Sequence, residues 1–449
     1  MNLPFRPAIG ALAVACLSAT SLLRAQDTGP IAFERFTLPN GLEVLLAPDH
    51  TTQVVAVNVW YFTGSRDEPP GRAGLAQLFE QLMFSGSANV PAGAHAALVT
   101  QGGGRLETSV EEDISRYAEA VPSNRLNQAL WLEADRMRGI VINDTTVGRA
   151  RGAALSDLQD RTSEPYTPTV VATVASLYDS AGCPGYSHPP LGRAATLATI
   201  TTGDAADFLN QHYRPNAARL VVAGDFDPAA IRQTITAYFG PIGRGQPPAA
   251  PTCNGEPGAG PARRTVTDRF ASRPAAGLFF RMPAHDHADA PALDLLGVIL
   301  GQGTQARLNA HLMRDLGAAS AIQAGGLGIR QGPGAFALFA VAAPGVTADS
   351  LATLLAGEAA WAAGDGLTQQ DLERARTVYL ASAVSRRERP QDVADALQHA
   401  AFYHGSPDAV NTEAGRVLAV TLADLRRVAG TWLAPAKAVT VVIATGGAS

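Results

Sequence analysis

The run Gly74-Leu75-Ala76-Gln77-Leu78-Phe79-Glu80-Gln81-Leu82-Met83-Phe84 constrains this chain more than any other segment. Its apolar spacing predicts a helix over 74–84. Gln77 and Gln81 fall one turn apart on one face of that helix, with Glu80 beside them. Imidazoles at those two positions would grip a zinc ion while the carboxylate polarised its bound water. Both positions carry amides instead, and an amide is a poor donor to zinc.

With 449 residues, the chain is long enough for two domains with ample core. It is 46% hydrophobic with a net charge of −5, so no basic surplus points to nucleic acid. Strand signals at 33–47 and 53–62 include an Asn40-Gly41 hairpin turn. Helical patterns follow at 74–84, 124–143, 146–160 and 202–213, then a strand at 219–223 and a helix at 228–239. The span 243–264 is dense in Gly, Pro and Ala and reads as a linker. Beyond it come a strand at 276–282, helices at 289–300 and 305–314, and strands at 320–329 and 335–341. Helices at 348–363, 370–387, 392–403 and 422–432 and a strand at 438–444 complete the chain. Strands and helices mix without clean alternation, which favours two α+β halves over a doubly wound sheet. The expected domains are 31–242 and 265–447.

Several stretches, taken together and in order, carry a resemblance. They are Phe36-Thr37-Leu38-Pro39-Asn40-Gly41-Leu42, Gly64-Ser65-Arg66-Asp67-Glu68 and Ala129-Leu130-Trp131-Leu132-Glu133-Ala134-Asp135-Arg136-Met137. Tyr213-Arg214-Pro215-Asn216-Ala217 and Val222-Ala223-Gly224-Asp225-Phe226-Asp227 continue the series. With the motif run, they make the chain resemble the pitrilysin (insulinase) family of zinc peptidases in its bacterial two-domain form. With imidazoles at 77 and 81 the motif would read His-x-x-Glu-His, the inverted zinc motif. The resemblance implies two similar α+β domains of the mitochondrial processing peptidase type, closing as part of a clamshell around a peptide chamber.

It also implies site residues. The family's third ligand is a glutamate at the position where Asp157 stands here, so the ligand positions read Gln77, Gln81 and Asp157. No zinc cofactor is therefore expected. Glu80 would be a vestigial general base with no metal-bound water to activate, or simply a helix carboxylate kept for local hydrogen bonding. In the second half the family pairs an arginine with a tyrosine that contacts the developing oxyanion. Arg314 matches the arginine, while the tyrosine position falls on Ser320 or Ala321. The substrate-pairing edge strand falls on Arg105, Leu106, Glu107 and Thr108, where a peptide would add by β-augmentation.

Residues 1–25 read as an export signal, with Arg6 before an apolar run at 8–23 and Ala25 as the small residue at the cleavage site. A periplasmic or secreted mature chain is expected, with no transmembrane helix after signal removal. Ala13-Val14-Ala15-Cys16 loosely resembles a lipobox, which leaves a lipoprotein as an alternative. An oxidising compartment would permit a disulfide between Cys183 and Cys253, but two loop thiols of unknown separation do not establish one. His285-Asp286-His287-Ala288-Asp289 reads as a solvated loop with Asp289 as a helix cap. His188 reads as structural.

The expected function is that of a non-catalytic, peptidase-like subunit. It would form a heterodimer with a zinc-bearing homologous subunit and help enclose or position peptides. Two alternatives stay open: an active metalloendopeptidase with a diverged metal site, and a free-standing peptide-binding or scaffold protein.

Overall fold

Valines and alanines fill 54–61 and 218–224 with little polar interruption, a pattern satisfied by strands covered on both faces. Both segments are central strands in the computed structural model, which describes residues 29–246, 253, 262–328 and 330–446. The expected signal segment and Cys16 lie outside the described residues, as does most of the expected linker. No described helix is long and apolar enough to cross a membrane.

The first half opens with β1 (Glu34–Thr37), β2 (Glu43–Pro48), β3 (Val54–Tyr61), α1 (Leu75–Leu82) and α2 (Ala94–Gln101). It continues with β4 (Arg105–Val110), β5 (Ser115–Pro122), α3 (Leu126–Arg138), α4 (Asp144–Ser163) and α5 (Thr167–Ala175). The short α6 (Ala194–Leu197), α7 (Thr202–His212), β6 (Ala218–Gly224) and α8 (Pro228–Phe239) end it. The second half runs β7 (Arg263–Asp268), β8 (Ala275–Arg281), α9 (Ala290–Gly301), β9 (Ala319–Gly326) and β10 (Ala335–Ala342). Helices α10 (Ala348–Ala363), α11 (Gln369–Ser385), α12 (Pro390–Tyr403), α13 (Ala409–Ala419) and α14 (Leu422–Trp432) come next, and β11 (Val439–Thr445) closes the chain.

The two sheets share one plan. Their strand orders are β1-β2-β6-β3-β5-β4 and β7-β11-β8-β10-β9. In each, the last strand runs parallel to the first long strand (β6 on β2, β11 on β7), and every other pairing is antiparallel. The correspondence places α9 where α1 stands, α11 where α4 stands, and β9 where β4 stands. Mixed sheets with helices packed on them give the α+β class read from the sequence.

Each sheet buries one face under its own helices and the other under a piece of the opposite half. Leu45, Ala47, Ala56, Val221 and Ala223 of the first sheet meet Ala394, Leu397 and Ala400 of α12. Reciprocally, Phe279, Ala337, Phe339 and Val441 of the second sheet meet Leu177, Tyr178 and Tyr186, which lie just after α5. Covering strands on both faces explains why β6 is buried at all seven positions. Polar anchors fix this exchange. Arg116 on β5 grips Asp395 of α12 at 2.8 and 2.9 Å, and the Gln398 amide donates to the carbonyls of Asn58 and Arg219. Buried Asp113 joins the halves, accepting from Arg66 (2.6 Å), Tyr186 (2.6 Å) and the Gln331 N–H (2.7 Å).

Several expectations shift. The helix expected over 305–314 is wound as a π-helix over Asn309–Asp315. Strand β7 begins at Arg263, inside the span read as linker. Strand β5 and helix α13 give weak sequence signals. Buried Ser115 and Glu119 interrupt the apolar face of the strand, and α13 buries only Val410 and Val417. Asp289 sits at the N-terminus of α9 but does not cap it. Its carboxylate accepts from Arg427 (2.7 Å) and the Trp432 indole (2.9 Å), which ties α9 to α14. Cys183 and Cys253 form a disulfide, settling the pairing that spacing alone left open.

Candidate functional site

Helix α1 starts at Gly74, whose φ of +100° favours glycine, and a Cβ there would lie 2.7 Å from Leu197. Gly74 has no side chain to cap the helix, so Glu68 caps it from outside. Its carboxylate accepts from the N–H groups of Gly74 (3.0 Å) and Ala76 (2.8 Å). Leu75, Leu78, Phe79 and Leu82 bury the inner face, and α4 packs alongside. That packing places the helix bearing the motif against the helix bearing Asp157.

On this frame Gln77 is buried and donates its amide to Glu80 Oε2 at 2.6 Å. Thr108 Oγ1 donates to Glu80 Oε1 at 2.8 Å. Both carboxylate oxygens of Glu80 are thus held, one from within the helix and one from β4. Strand β4, which carries Arg105–Thr108, is the outer strand of its sheet. Gln81 is exposed. Asp157 Oδ1 accepts from Arg161 at 3.3 Å, and its Oδ2 is buried with no partner.

These residues do not fit zinc. The Gln77 amide nitrogen is used on Glu80, the oxygens of Gln77 and Gln81 are neutral and weak donors to zinc, and aspartate reaches one methylene less far than glutamate. What remains is a carboxylate held at both oxygens, by Gln77 and by Thr108.

Arg314 lies on the π-turn, more than half exposed, and among the described residues pairs with the neighbouring Asp315 at 3.1 Å. Ser320 occupies the start of β9 and turns its hydroxyl onto the carbonyls of Val341 and Ala342. Nothing there replaces a phenol aimed outward. His188 Nδ1 lies 3.8 Å from Glu68, in keeping with a structural role.

Sequence reading missed a buried ionic cluster behind the motif helix. His95 on α2, Glu119 on β5 and Glu133 on α3 converge, and among the described residues they alone form a three-residue group able to hold a metal. An arginine already occupies it. Arg136 donates to both oxygens of Glu133 and lies over the rings of Tyr117 (4.3 Å) and Phe84 (4.9 Å), while His95 hydrogen-bonds Glu119. The available signal was Glu133 and Arg136, three apart on the otherwise apolar face of α3. Charges in such a place must be paired.

Burial pushes Glu119 and Glu133 up to about 7 and His95 down to about 4. The two glutamates bind protons more tightly in the folded chain. Their stabilisation is present below the ordinary value of 4.5 and lost as pH rises through about 7. His95 acts oppositely: its contribution is present above 6.5 and lost as pH falls through about 4. With two groups against one, Glu119→Gln should flatten the loss of stability between about pH 5 and pH 8, read as Tm against pH. A variant profile parallel to the parent's would rule this out.

The comparisons with known proteins agree with the architecture. The model described as "Insulinase (Peptidase family M16)" matches residues 43–179, and "Peptidase M16 inactive domain" matches 199–379. The second match begins well beyond α1, so it says nothing about the motif helix. The chain is 26% identical over 394 residues to the zinc protease PqqE of Helicobacter pylori, covering 86% of this chain and 87% of that one. A crystal structure of a protease from Helicobacter pylori superposes with a TM-score of 0.85 at 24% identity, covering 92% of this chain and all of the other. The periplasmic protease PqqL of Escherichia coli gives a TM-score of 0.73 at 17% identity, covering 92% of this chain but 47% of that one. Matched in both halves by models of one family and sharing its two-sheet plan, this chain belongs to the insulinase (M16) peptidase family.

Proposed function

We propose that the chain is a non-catalytic, peptidase-like subunit that pairs with a zinc-bearing homologue and helps enclose or position its peptide substrates. The hydrogen bond from Gln77 to Glu80 carries this reading. A frame that would hold a metal and a base is kept, and the first metal position now serves to hold the base. Pairing is supported by the Escherichia coli neighbour, in which a chain about twice this length accommodates this fold in roughly half of itself. Peptide contact is assigned to the outer edge of β4 at Arg105–Thr108 and to Arg314, an exposed guanidinium paired among the described residues with Asp315. An exported, periplasmic location agrees with the disulfide and with the location printed for that neighbour.

The test is co-expression with a zinc-bearing family member from the same source, followed by size-exclusion chromatography with light scattering. The expected outcome is a heterodimer with an interface of at least about 1,200 Å² and higher peptidase activity than the partner has alone. Arg314→Ala should reduce that gain, and the isolated chain should carry well under one equivalent of zinc. Two independent monomers with a fully active partner would favour a free-standing binder. Peptidase activity of the isolated chain that is lost in Glu80→Gln would favour the diverged enzyme.

A further inference from the structure

A cavity lies in the second half, where α9, β9 and α11 take the places that α1, β4 and α4 hold in the first. It encloses about 820 Å³, within the range of small-ligand sites. Gly297 and Gly301 of α9, Ile322–Gly326 of β9, Tyr379 and Ser382 of α11, and Asp395, His399 and Ala400 of α12 form its walls. Glycines bring helix and strand close: a Cβ on Gly301 would come within 2.7 Å of Ala324. Where α9 meets β9 the wall is therefore glycine backbone, with apolar patches from Met282, Val298 and Ile322 beside it.

Asp294, on α9, points into this space. Its carboxylate is open to the cavity, while protein surrounds it on its other sides. Among the described residues it makes no hydrogen bond and no ion pair. The other lining acids are occupied. Asp392 is bound by Arg389 and Asp395 by Arg116, and Glu413 accepts from the Tyr379 hydroxyl at 2.6 Å. A carboxylate that opens onto such a space without an ion-pair partner offers a bound cation a charge to pair with.

We propose that this cavity binds an organic cation, a guanidinium or alkylammonium on an apolar stem, with Asp294 as its counterion. The stem lies along Met282, Val298 and Ile322, and the glycine-rich backbone of β9 leaves room for it. Two sources share this chemistry: a lysine or arginine side chain of a peptide, and a free amine such as a polyamine. The site goes beyond the subunit reading and does not depend on it, because no residue of the motif helix or of a partner takes part.

The surrounding titratable groups give the binding a sign with pH. Burial, followed by the charge of Glu413, pushes Asp294 up to about 7. Around it stand His285 from the loop before α9, Tyr379 and Arg386 at α11, His399 and His404 at α12, and Glu413 and Arg416 on α13. Burial holds His285, His399 and His404 below the ordinary histidine range, so they are uncharged near neutrality and do not compete with the ligand. Arg386 and Arg416 favour the ionised Asp294. Cation binding should therefore tighten as pH rises through about 7 and release a proton.

Isothermal titration of the whole chain with agmatine, with spermidine and with a short arginine-containing peptide, at pH 6 and pH 8, tests this. At least one probe is expected to bind, more tightly at pH 8. Asp294→Asn, which keeps the shape, should weaken binding at least tenfold and abolish the pH difference, and Glu413→Gln should weaken it less. Preference for the peptide assigns the site to a basic side chain, and preference for a free amine assigns it to a small molecule. Failure of all three probes to bind at millimolar concentration, or equal binding by Asp294→Asn with an unchanged circular dichroism spectrum, overturns the proposal. Neither result bears on pairing with a zinc-bearing partner.

Discussion

Arg136→Ala is expected to cost about 3–5 kcal/mol of folding stability, the scale for removing one partner from a buried ion pair. The substitution leaves Glu133 and Glu119 facing each other inside the core with no cation. It also removes the guanidinium from the faces of Tyr117 and Phe84. Domains are stable by only about 5–15 kcal/mol, so the variant should sit near its unfolding threshold at growth temperature. Arg136→Lys should rescue little, since an ammonium lacks the planar face that lies over the rings of Tyr117 and Phe84. The pair Arg136→Met with Glu133→Leu should recover part of the loss, because it removes the orphaned charge. Urea denaturation of the four proteins checks this, and a loss below about 1 kcal/mol for Arg136→Ala would refute it.

Breaking the disulfide should be almost as damaging. Cys183 and Cys253 are separated by 70 residues, and in the chain-entropy description closing a loop of that size stabilises by about 4 kcal/mol. Cys183 is buried in the cluster that covers the outer face of the second sheet, whereas Cys253 belongs to the stretch between the halves. The bond therefore fastens that stretch to the place where the first half covers the second sheet. Reduction, or serine at both positions, should lower Tm markedly, and the unreduced protein should show no free thiol at these positions. Two titratable thiols in protein purified from an oxidising compartment would refute the bond.

The cluster around Arg136 and the motif helix show how differently two sites can be read from the same chain. The motif was visible because its chemistry is local. Residues 77, 80 and 81 share one turn, and one turn fixes which side chains are neighbours. Asp157 could be added only through resemblance, since packing of α4 on α1 is not encoded in any short spacing. Three of the four cluster residues, His95, Glu119 and Arg136, sit on three different elements. Only the fold brings α2, β5 and α3 together, so no periodicity could have joined His95 and Glu119 to the Glu133–Arg136 pair.

The same division governs Asp294. In sequence it is one acid in an otherwise apolar helix, Ala-Leu-Asp-Leu-Leu, adjoining a histidine-rich loop that reads as solvated. In the fold that loop brings His285 to the wall of a cavity, and Asp289, the apparent cap, is used between helices.

The sequence by itself determined most strands and helices, the two-part α+β organisation and the presence of amides at positions 77 and 81. Each of these depends on residue type and on spacings of a few residues, which backbone geometry converts directly into structure. The tertiary structure alone decided that each half covers the other's sheet, that Cys183 meets Cys253, that Gln77 holds Glu80, and that Asp294 faces a cavity without a partner. Those outcomes depend on which distant surfaces pack together, and burial then sets what each charge must find to be stable.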